Sequence, residues 1–269
     1  MPEGHTVHRT ANDFQRLFVG SAIGIDSPQG RFSAGAQALS GQVLTNSYAI
    51  GKQLFLDFAN GQTIRIHLGI FGKWRWYKNI DVAAALKEPV TGEVRARFFT
   101  ESVLADLRGP TICEVLVQEQ VEAVRRRLGP DPLNPDPDGS EYQRFAKRVA
   151  KSKTAIGLLL MDQSVISGIG NVYRAEILFR AGINPYTPGS SLKPKQIQEL
   201  WKDSVDLLAI GVKTGFMITR NELFTTRPTK AERNFVYKRE GQACRVCSKK
   251  VSIALAAGRK LYWCPKCQK

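Results

Sequence analysis

The sequence lacks any apolar run able to cross a bilayer. Its longest, Ala155 to Met161, is far short of the roughly 20 residues that a spanning helix needs. The opening MPEGHTVHR has no apolar core of the kind a signal peptide carries. A membrane protein and an exported protein are therefore both poor readings. There is no internal repeat and no low-complexity tract, which excludes a repeat array. Histidine is scarce, and the spacing of His5, His8 and His67 gives little support to a metal site. Acidic residues are few beside basic ones: 24 Asp and Glu against 39 Lys and Arg, for a net charge of +15.

What is present is ordinary for a folded protein. Of 269 residues, 43% are hydrophobic and 23% charged, which argues against wholesale disorder. The length suggests about two domains with ample surface to bury. A pI near 9.8 on a chain without export signals favours a polyanionic partner, nucleic acid being the commonest. A basic surface that merely keeps the protein in solution is the bland alternative. Charge alone does not separate an enzyme from a passive binder.

Cysteine gives the sharpest signal. Cys244, Cys247, Cys264 and Cys267 form two C-x2-C pairs with 16 residues between them. That is tetrathiolate zinc-ribbon spacing, in which each turn offers two thiolates about 2.3 Å from one Zn²⁺. The intervening stretch is long enough for two strands and a turn. Two disulfides are the alternative, which a reducing compartment disfavours. Cys113 has no partner in this pattern and reads as a small buried side chain.

Periodicity divides the rest. Val7, Ala11, Phe14, Leu17 and Phe18 recur at helical spacing, and Pro2 suits a first helical turn. Alternation over Gln53–Phe58 and Gln62–Leu68 reads as two strands. Asn60-Gly61 between them is a type I′ hairpin signal. Further strands are expected at Gly41–Tyr48, Lys73–Tyr77, Arg95–Thr100 and Ser102–Asp106. Residues 1 to about 130 thus read as a helix plus a β-sandwich. Four prolines between Gly129 and Gly139 forbid helix and strand interiors alike and mark a linker. Helical periods return at 140–149, 152–162, 171–181 and 194–212. Residues 228–269 carry eleven Lys or Arg against two Glu, so most of the net charge sits on the cysteine-bearing end.

Two further stretches carry chemistry. In Ser167-Gly168-Ile169-Gly170-Asn171-Val172-Tyr173, two glycines free the backbone and Asn171 is a good helix N-cap. Such a turn can aim amide N–H groups at a phosphate; a helix–helix turn packed through its glycines is the equal alternative. At the front, removal of Met1 would leave Pro2 as a secondary amine beside Glu3. A neutral amine attacks electrophilic carbon to form an iminium or Schiff base, and an adjacent carboxyl group can shuttle protons. An unremarkable chain start is the alternative.

These pieces in order resemble the formamidopyrimidine-DNA glycosylase / endonuclease VIII family, and in particular its endonuclease VIII-like branch of actinobacteria. The likeness is carried by Pro2-Glu3-Gly4, Gly51-Lys52, His67-Leu68-Gly69 with Gly72-Lys73, Leu128-Gly129-Pro130-Asp131-Pro132-Leu133, Gly168-Ile169-Gly170-Asn171-Val172-Tyr173, and Gly258-Arg259 running into Cys264-Pro265-Lys266-Cys267-Gln268. It spans nearly the whole chain. It implies an α+β multidomain architecture. A catalytic helix and β-sandwich would occupy 1–130, a helix–two-turn–helix DNA-binding domain 131–227, and a β-hairpin zinc ribbon 228–269.

The resemblance also implies roles. Pro2 would be the nucleophile at C1′ of a damaged nucleotide, Glu3 the proton donor to the sugar ring oxygen, and Lys52 a contact to the backbone phosphates around the lesion. Lys52 read on its own is an ordinary solvated lysine. Asn171, with Gly168 and Gly170, and Arg259 at the hairpin tip would hold phosphates. Ile70 and Phe71 fall where the endonuclease VIII branch intercalates, and Arg108 near the other branch's inserted arginine; packing of Ile70 and Phe71 in core or loop is the alternative. One Zn²⁺ on Cys244, Cys247, Cys264 and Cys267 would be structural, with no open position for water.

Gly4-His5-Thr6 departs from the family's usual start, and Thr6 stands where a second carboxylate is common. The expected partner is double-stranded DNA with oxidised bases or abasic sites, met by a monomer in the cytoplasm at the nucleoid. The expected activity is a bifunctional glycosylase and abasic-site lyase acting by β,δ-elimination. Phe216–Thr226 does not spell a purine-selective loop, so oxidised pyrimidines are favoured. A non-catalytic zinc-ribbon protein that binds damaged or bent DNA is the competing reading.

Overall fold

The computed structural model describes residues 2–269; Met1, whose removal the catalytic reading requires, lies outside them. Two compact units emerge: Pro2 with Thr6–Arg126, and Glu3–His5 with Arg127–Lys269.

The first unit is built on α1 (Gly4–Leu17), from Thr6 onward, and two four-stranded antiparallel sheets. One runs β1 (Gly24–Asp26), β6 (Ala96–Phe99), β7 (Val103–Arg108), β5 (Lys73–Lys78). The other runs β2 (Leu44–Ile50), β3 (Gln53–Phe58), β4 (Gln62–His67), β8 (Ile112–Val117). Between them lie Leu54, Leu56, Ile64, Ile66, Phe98, Ala105 and Leu107, joined by Val7, Ala11, Phe14 and Phe18 from α1. The helical stripe and the strand alternation thus converge on one core, and the β-sandwich expectation holds.

Several details differ from expectation. The β3–β4 turn is not type I′: only Gly61 is left-handed, at φ +80°, and its N–H donates to Phe58 O at 3.0 Å. The result is a three-residue loop that closes a type I turn with glycine. Gly51-Lys52 forms the two-residue β2–β3 turn, with Gly51 at φ +58°. Five elements carried too little pattern to be anticipated: β1, β8, α2 (Ser33–Leu39), α3 (Val82–Lys87) and α4 (Gln118–Arg127). In α4 only Val121 is buried, so no apolar stripe announces the helix.

In the second unit, α5 (Ser140–Ala150), α6 (Ile156–Leu159), α7 (Asn171–Arg180) and α8 (Pro194–Thr214) pack around Phe145, Leu160, Ile169, Tyr173, Ile177, Leu200 and Leu207. The expected helix at 152–162 shrinks to the single turn of α6. The proline-rich 129–139 has neither helix nor strand, as expected, yet it is not a loose tether. Gly129 N–H donates to Gln163 O, and Pro130 O accepts from Ser167 N–H, both at 2.8 Å. The chain ends in a hairpin, β9 (Ser252–Ala256) and β10 (Arg259–Trp263), sharing a core with α7 through Phe179, Val236, Val251 and Tyr262.

Candidate active site and nucleic-acid interface

Every residue of α7 from Asn171 to Phe179 is buried, including Arg174 and Glu176. A helix enclosed on all sides must have its ions paired or hydrogen-bonded. The Glu176 carboxylate accepts from Thr219 Oγ1 at 2.6 Å and from the amides of Phe235, Val236 and Tyr237 at 2.7–2.8 Å. It therefore pins the segment that leads into the cysteine hairpin. Arg174, 1% exposed, donates to Asn171 Oδ1, to Gly157 O at 3.3 Å and to Lys260 O at 3.0 Å. Burial, then the neighbouring Arg259 charge, lowers its pKa to about 10, so it stays cationic at neutral pH. Neither residue was anticipated. Two charged residues inside an otherwise largely apolar helix were the available signal.

The start of α7 corrects the expected cap. Gly170, not Asn171, holds the N-cap position, and no side chain of the helix itself caps it. The cap comes from Glu3, which is fully buried. Its carboxylate accepts from Gly170 N–H at 2.8 Å, Val172 N–H at 2.9 Å and Tyr173 N–H at 3.4 Å. These are the orphan donors of a helix N-terminus, where the dipole also favours an anion. The amides expected to cradle a phosphate are thus engaged by Glu3. The glycines permit this approach: a Cβ on Gly170 would lie 2.4 Å from the Glu3 carboxyl carbon. Burial and the Glu3 charge together raise the Tyr173 pKa well above its ordinary value.

Asn171 turns its amide elsewhere. Its Nδ2 donates to Lys260 O at 3.0 Å, so one carbonyl of β10 receives both Asn171 and Arg174. Arg259 is the next residue back and is exposed. It follows a tight turn in which Ala257 and Gly258 both have positive φ, +47° and +72°, the type I′ geometry of a two-residue hairpin. Asn171 and Arg259 are therefore brought together by the hairpin register.

The four cysteines close the other end of the hairpin, their ligand atoms all within 4.8 Å of one another. Sγ separations are 3.9 Å for Cys244 and Cys267 and 3.4 Å for Cys247 and Cys264. Ligands at 2.3 Å on a tetrahedron lie about 3.8 Å apart, so the donor set fits a metal ion. Gln268 supports it, accepting from Cys264 N–H at 2.8 Å and donating to Ile183 O at 2.9 Å. No other such metal-ligand group occurs among the described residues.

In the first unit, Pro2 lines a cavity of about 530 Å³ together with Thr6, Arg9, Asp13, Ile70, Phe71 and Trp74. Phe71 is 87% and Ile70 52% exposed, so neither is a core residue. They ride on a loop whose shape depends on glycine. Gly69 has φ +65° with Thr111 Oγ1 where a Cβ would stand, and a Cβ on Gly72 would meet Leu68 O at 2.2 Å. His67 Nδ1 accepts from Gly69 N–H at 2.8 Å. Burial, then Lys52 and Arg65, lower the His67 pKa, so its imidazole is neutral and keeps that acceptor. Lys52 sits in the β2–β3 turn near His67. Arg108 does not project outward: it donates to Thr91 O at 2.7 Å and lies beside Asp106 at 3.4 Å.

The fold and the arrangement of these residues define a class, the DNA glycosylases that carry an H2TH domain and a cysteine-bound hairpin. The chain matches the formamidopyrimidine-DNA glycosylase N-terminal domain over residues 1–113 and the formamidopyrimidine-DNA glycosylase H2TH domain over 128–222. It is 42% identical to endonuclease 8 1 of Mycobacterium tuberculosis over the full length of both chains. It is 34% identical to the formamidopyrimidine-DNA glycosylase of Geobacillus kaustophilus, over 87% of this chain and 84% of that one. Lactococcus lactis Fpg in complex with DNA containing an abasic site has the same fold, with a TM-score of 0.81 across 99% of both chains at 23% identity. The protein belongs to the formamidopyrimidine-DNA glycosylase / endonuclease VIII family of base-excision-repair glycosylases with abasic-site lyase activity.

Proposed function

We propose that this chain excises oxidised bases from double-stranded DNA, pyrimidines foremost, and then cuts the strand. The observation that carries this is Pro2 in the lining of the 530 Å³ cavity, with the exposed Ile70 and Phe71 at the same cavity. Flipping a nucleotide costs a few kcal/mol, and an apolar wedge inserted between bases offsets part of that cost. Ile70 and Phe71 supply the wedge. Arg108, drawn inward in the free protein, joins them by exchanging its Thr91 contact for the duplex.

Pro2 nitrogen, freed by loss of Met1, attacks C1′, and the base leaves with the glycosidic electron pair. Glu3 delivers a proton to the ring oxygen, the sugar opens, and an iminium remains. Loss of a C2′ proton expels the 3′ phosphate, and a second elimination expels the 5′ phosphate. Lys52, Asn171 and Arg259 hold backbone phosphates, with Gly168 and Gly170 shaping the turn that presents Asn171.

The metal is one structural Zn²⁺ on Cys244, Cys247, Cys264 and Cys267; when bound it cross-links a segment too short for a core of its own. The working divisions are 1–130, 131–227 and 228–269, and the protein acts as a monomer in the cytoplasm at the nucleoid. Borohydride reduction in the presence of abasic-site DNA tests the reading. Wild type gives a covalent adduct and Pro2→Gly gives none while still binding the DNA. No adduct from wild type lacking Met1 would favour a non-catalytic binder of damaged DNA instead.

A further inference from the structure

The start of the chain is fastened to α7 and α8 at three points. Glu3 is held by the α7 amides. Gly4 N–H donates to Gly168 O at 2.8 Å. A Cβ on Gly4 would come within 2.9 Å of Gly168 Cα, so no side chain fits there. A glycine leaves the backbone intrinsically free, and restraint has to come from the side chains on either side of it. The third point is His5, which is 3% exposed. Its ring stands edge-on to Tyr173, with centroids 5.4 Å apart at 84°, an arrangement that aromatic pairs prefer. Gly211 of α8 leaves room for both rings: a Cβ there would meet His5 Cγ at 2.7 Å and collide with Tyr173 Oη. Tyr173 is itself tied to α8, its Oη donating to Leu207 O at 3.4 Å. The imidazole thus fills a slot bounded by the Tyr173 ring and the bare backbone of Gly211.

We propose that His5 is a positioning residue: seated between Tyr173 and Gly211, it fixes the direction in which the chain start leaves α7 and α8, and so aligns the Pro2 nitrogen for attack at C1′. The proposal rests on Pro2 being the nucleophile. Only Glu3 and Gly4 separate His5 from Pro2, so a shift of the imidazole is passed on over a short path. Misplacing a reacting group by about 1 Å can cost about a hundredfold in rate. With the ring removed, Gly4 is restrained on one side only, by the Glu3 carboxylate. Lys52, Asn171 and Arg259, which hold the phosphates, are not part of the slot. Rate and DNA affinity therefore separate.

The test measures two quantities. One is the single-turnover rate of strand cleavage at a preformed abasic site, with enzyme saturating. The other is affinity for the same duplex carrying tetrahydrofuran, an abasic analogue that cannot form an iminium. His5→Ala lowers the rate at least tenfold and leaves the affinity within twofold of wild type. His5→Phe, which puts a flat ring back against Tyr173, returns the rate to within threefold. Gly211→Ala probes the slot from its other wall: the added methyl slows wild type, and slows His5→Ala proportionally less, since contacting residues do not act additively. Thermal unfolding shows which variants are folded at the assay temperature; His5→Asn, with the same loss expected, replaces His5→Ala if that variant is not. A wild-type rate in the folded variant, or a rate and an affinity that fall together, overturns the positioning role. Failure of wild type to form a borohydride adduct would instead remove the Pro2 reading.

Discussion

A carboxylate with no exposed surface persists only where donors surround it, and Glu3 has three backbone amides at the positive end of α7. The residue therefore has a structural task besides its proposed chemical one. Glu3→Ala should abolish base excision and also destabilise the fold by about 3 kcal/mol, the scale of buried donors left unpaired; thermal unfolding and an excision assay measure the two separately. His67 makes a second residue-scale prediction. Its pKa lies below the ordinary 6.5 because of burial, Lys52 and Arg65, so the neutral form is the native one. Its contribution is complete above pH 6.5 and is lost as pH falls through the lowered value, when Nδ1 gains a proton and can no longer accept from Gly69. Excision should show an acidic limb below pH 6.5 that is missing from the pH profile of His67→Gln. At this scale the sequence displayed the four cysteines by spacing, whereas Pro2 and Glu3 stood out only through the family resemblance. It hid the Glu3 cap, because a contact across more than 160 positions leaves no local pattern, and Asn171 offered a more familiar one.

Elements were legible where burial was one-sided. The α1 stripe and the alternation in β4 announced themselves because each has one apolar face and one more polar face; β3 is buried on both faces, Phe55 joining a second cluster with Leu116 and Val121, and was legible through Leu54, Leu56 and Phe58. The α4 helix stayed hidden with a single buried residue, and the β3–β4 turn was misjudged because Asn-Gly also serves a three-residue loop. The loop from Gly69 to Gly72 was legible as a motif, though its rigidity appears only in three dimensions. A Cβ on Gly72 collides with backbone, which cannot move aside as a side chain can. Gly72→Ala should reorient Ile70 and Phe71 and reduce excision from fully paired duplex at least tenfold. Excision of the same lesion in single-stranded DNA should fall much less, since no gap needs filling there. Equal losses on both substrates would assign the loop another task.

Over the whole molecule, the net charge of +15 and the basic 228–269 segment suit a phosphate-rich partner whose binding weakens with salt. The metal site concerns the same segment. Stripping the metal with a chelator should disorder residues 240–269, remove Arg259 from the DNA, and abolish cleavage; hydrogen exchange over the hairpin and a nicking assay follow both events. The buried α5, α7 and α8 core uses none of the four thiols, so much of the helical structure should survive, seen as retained far-UV circular dichroism. Retained cleavage in the stripped protein would leave the hairpin without its proposed role. A change from strand to helical periods near residue 130 was legible in the sequence. The membership of Glu3–His5 in the second unit was not, since nothing local ties those residues to a turn so far along the chain.

Mapping the covalent attachment reaches the core of the account most directly. The protein is reduced with borohydride on abasic-site DNA, digested, and its peptides are sequenced by mass spectrometry. The account predicts a reduced sugar remnant on the nitrogen of a terminal Pro2, in a peptide from which Met1 has been cleaved. A remnant on the Lys52 side chain, or an adduct formed by chains that retain Met1, would contradict it.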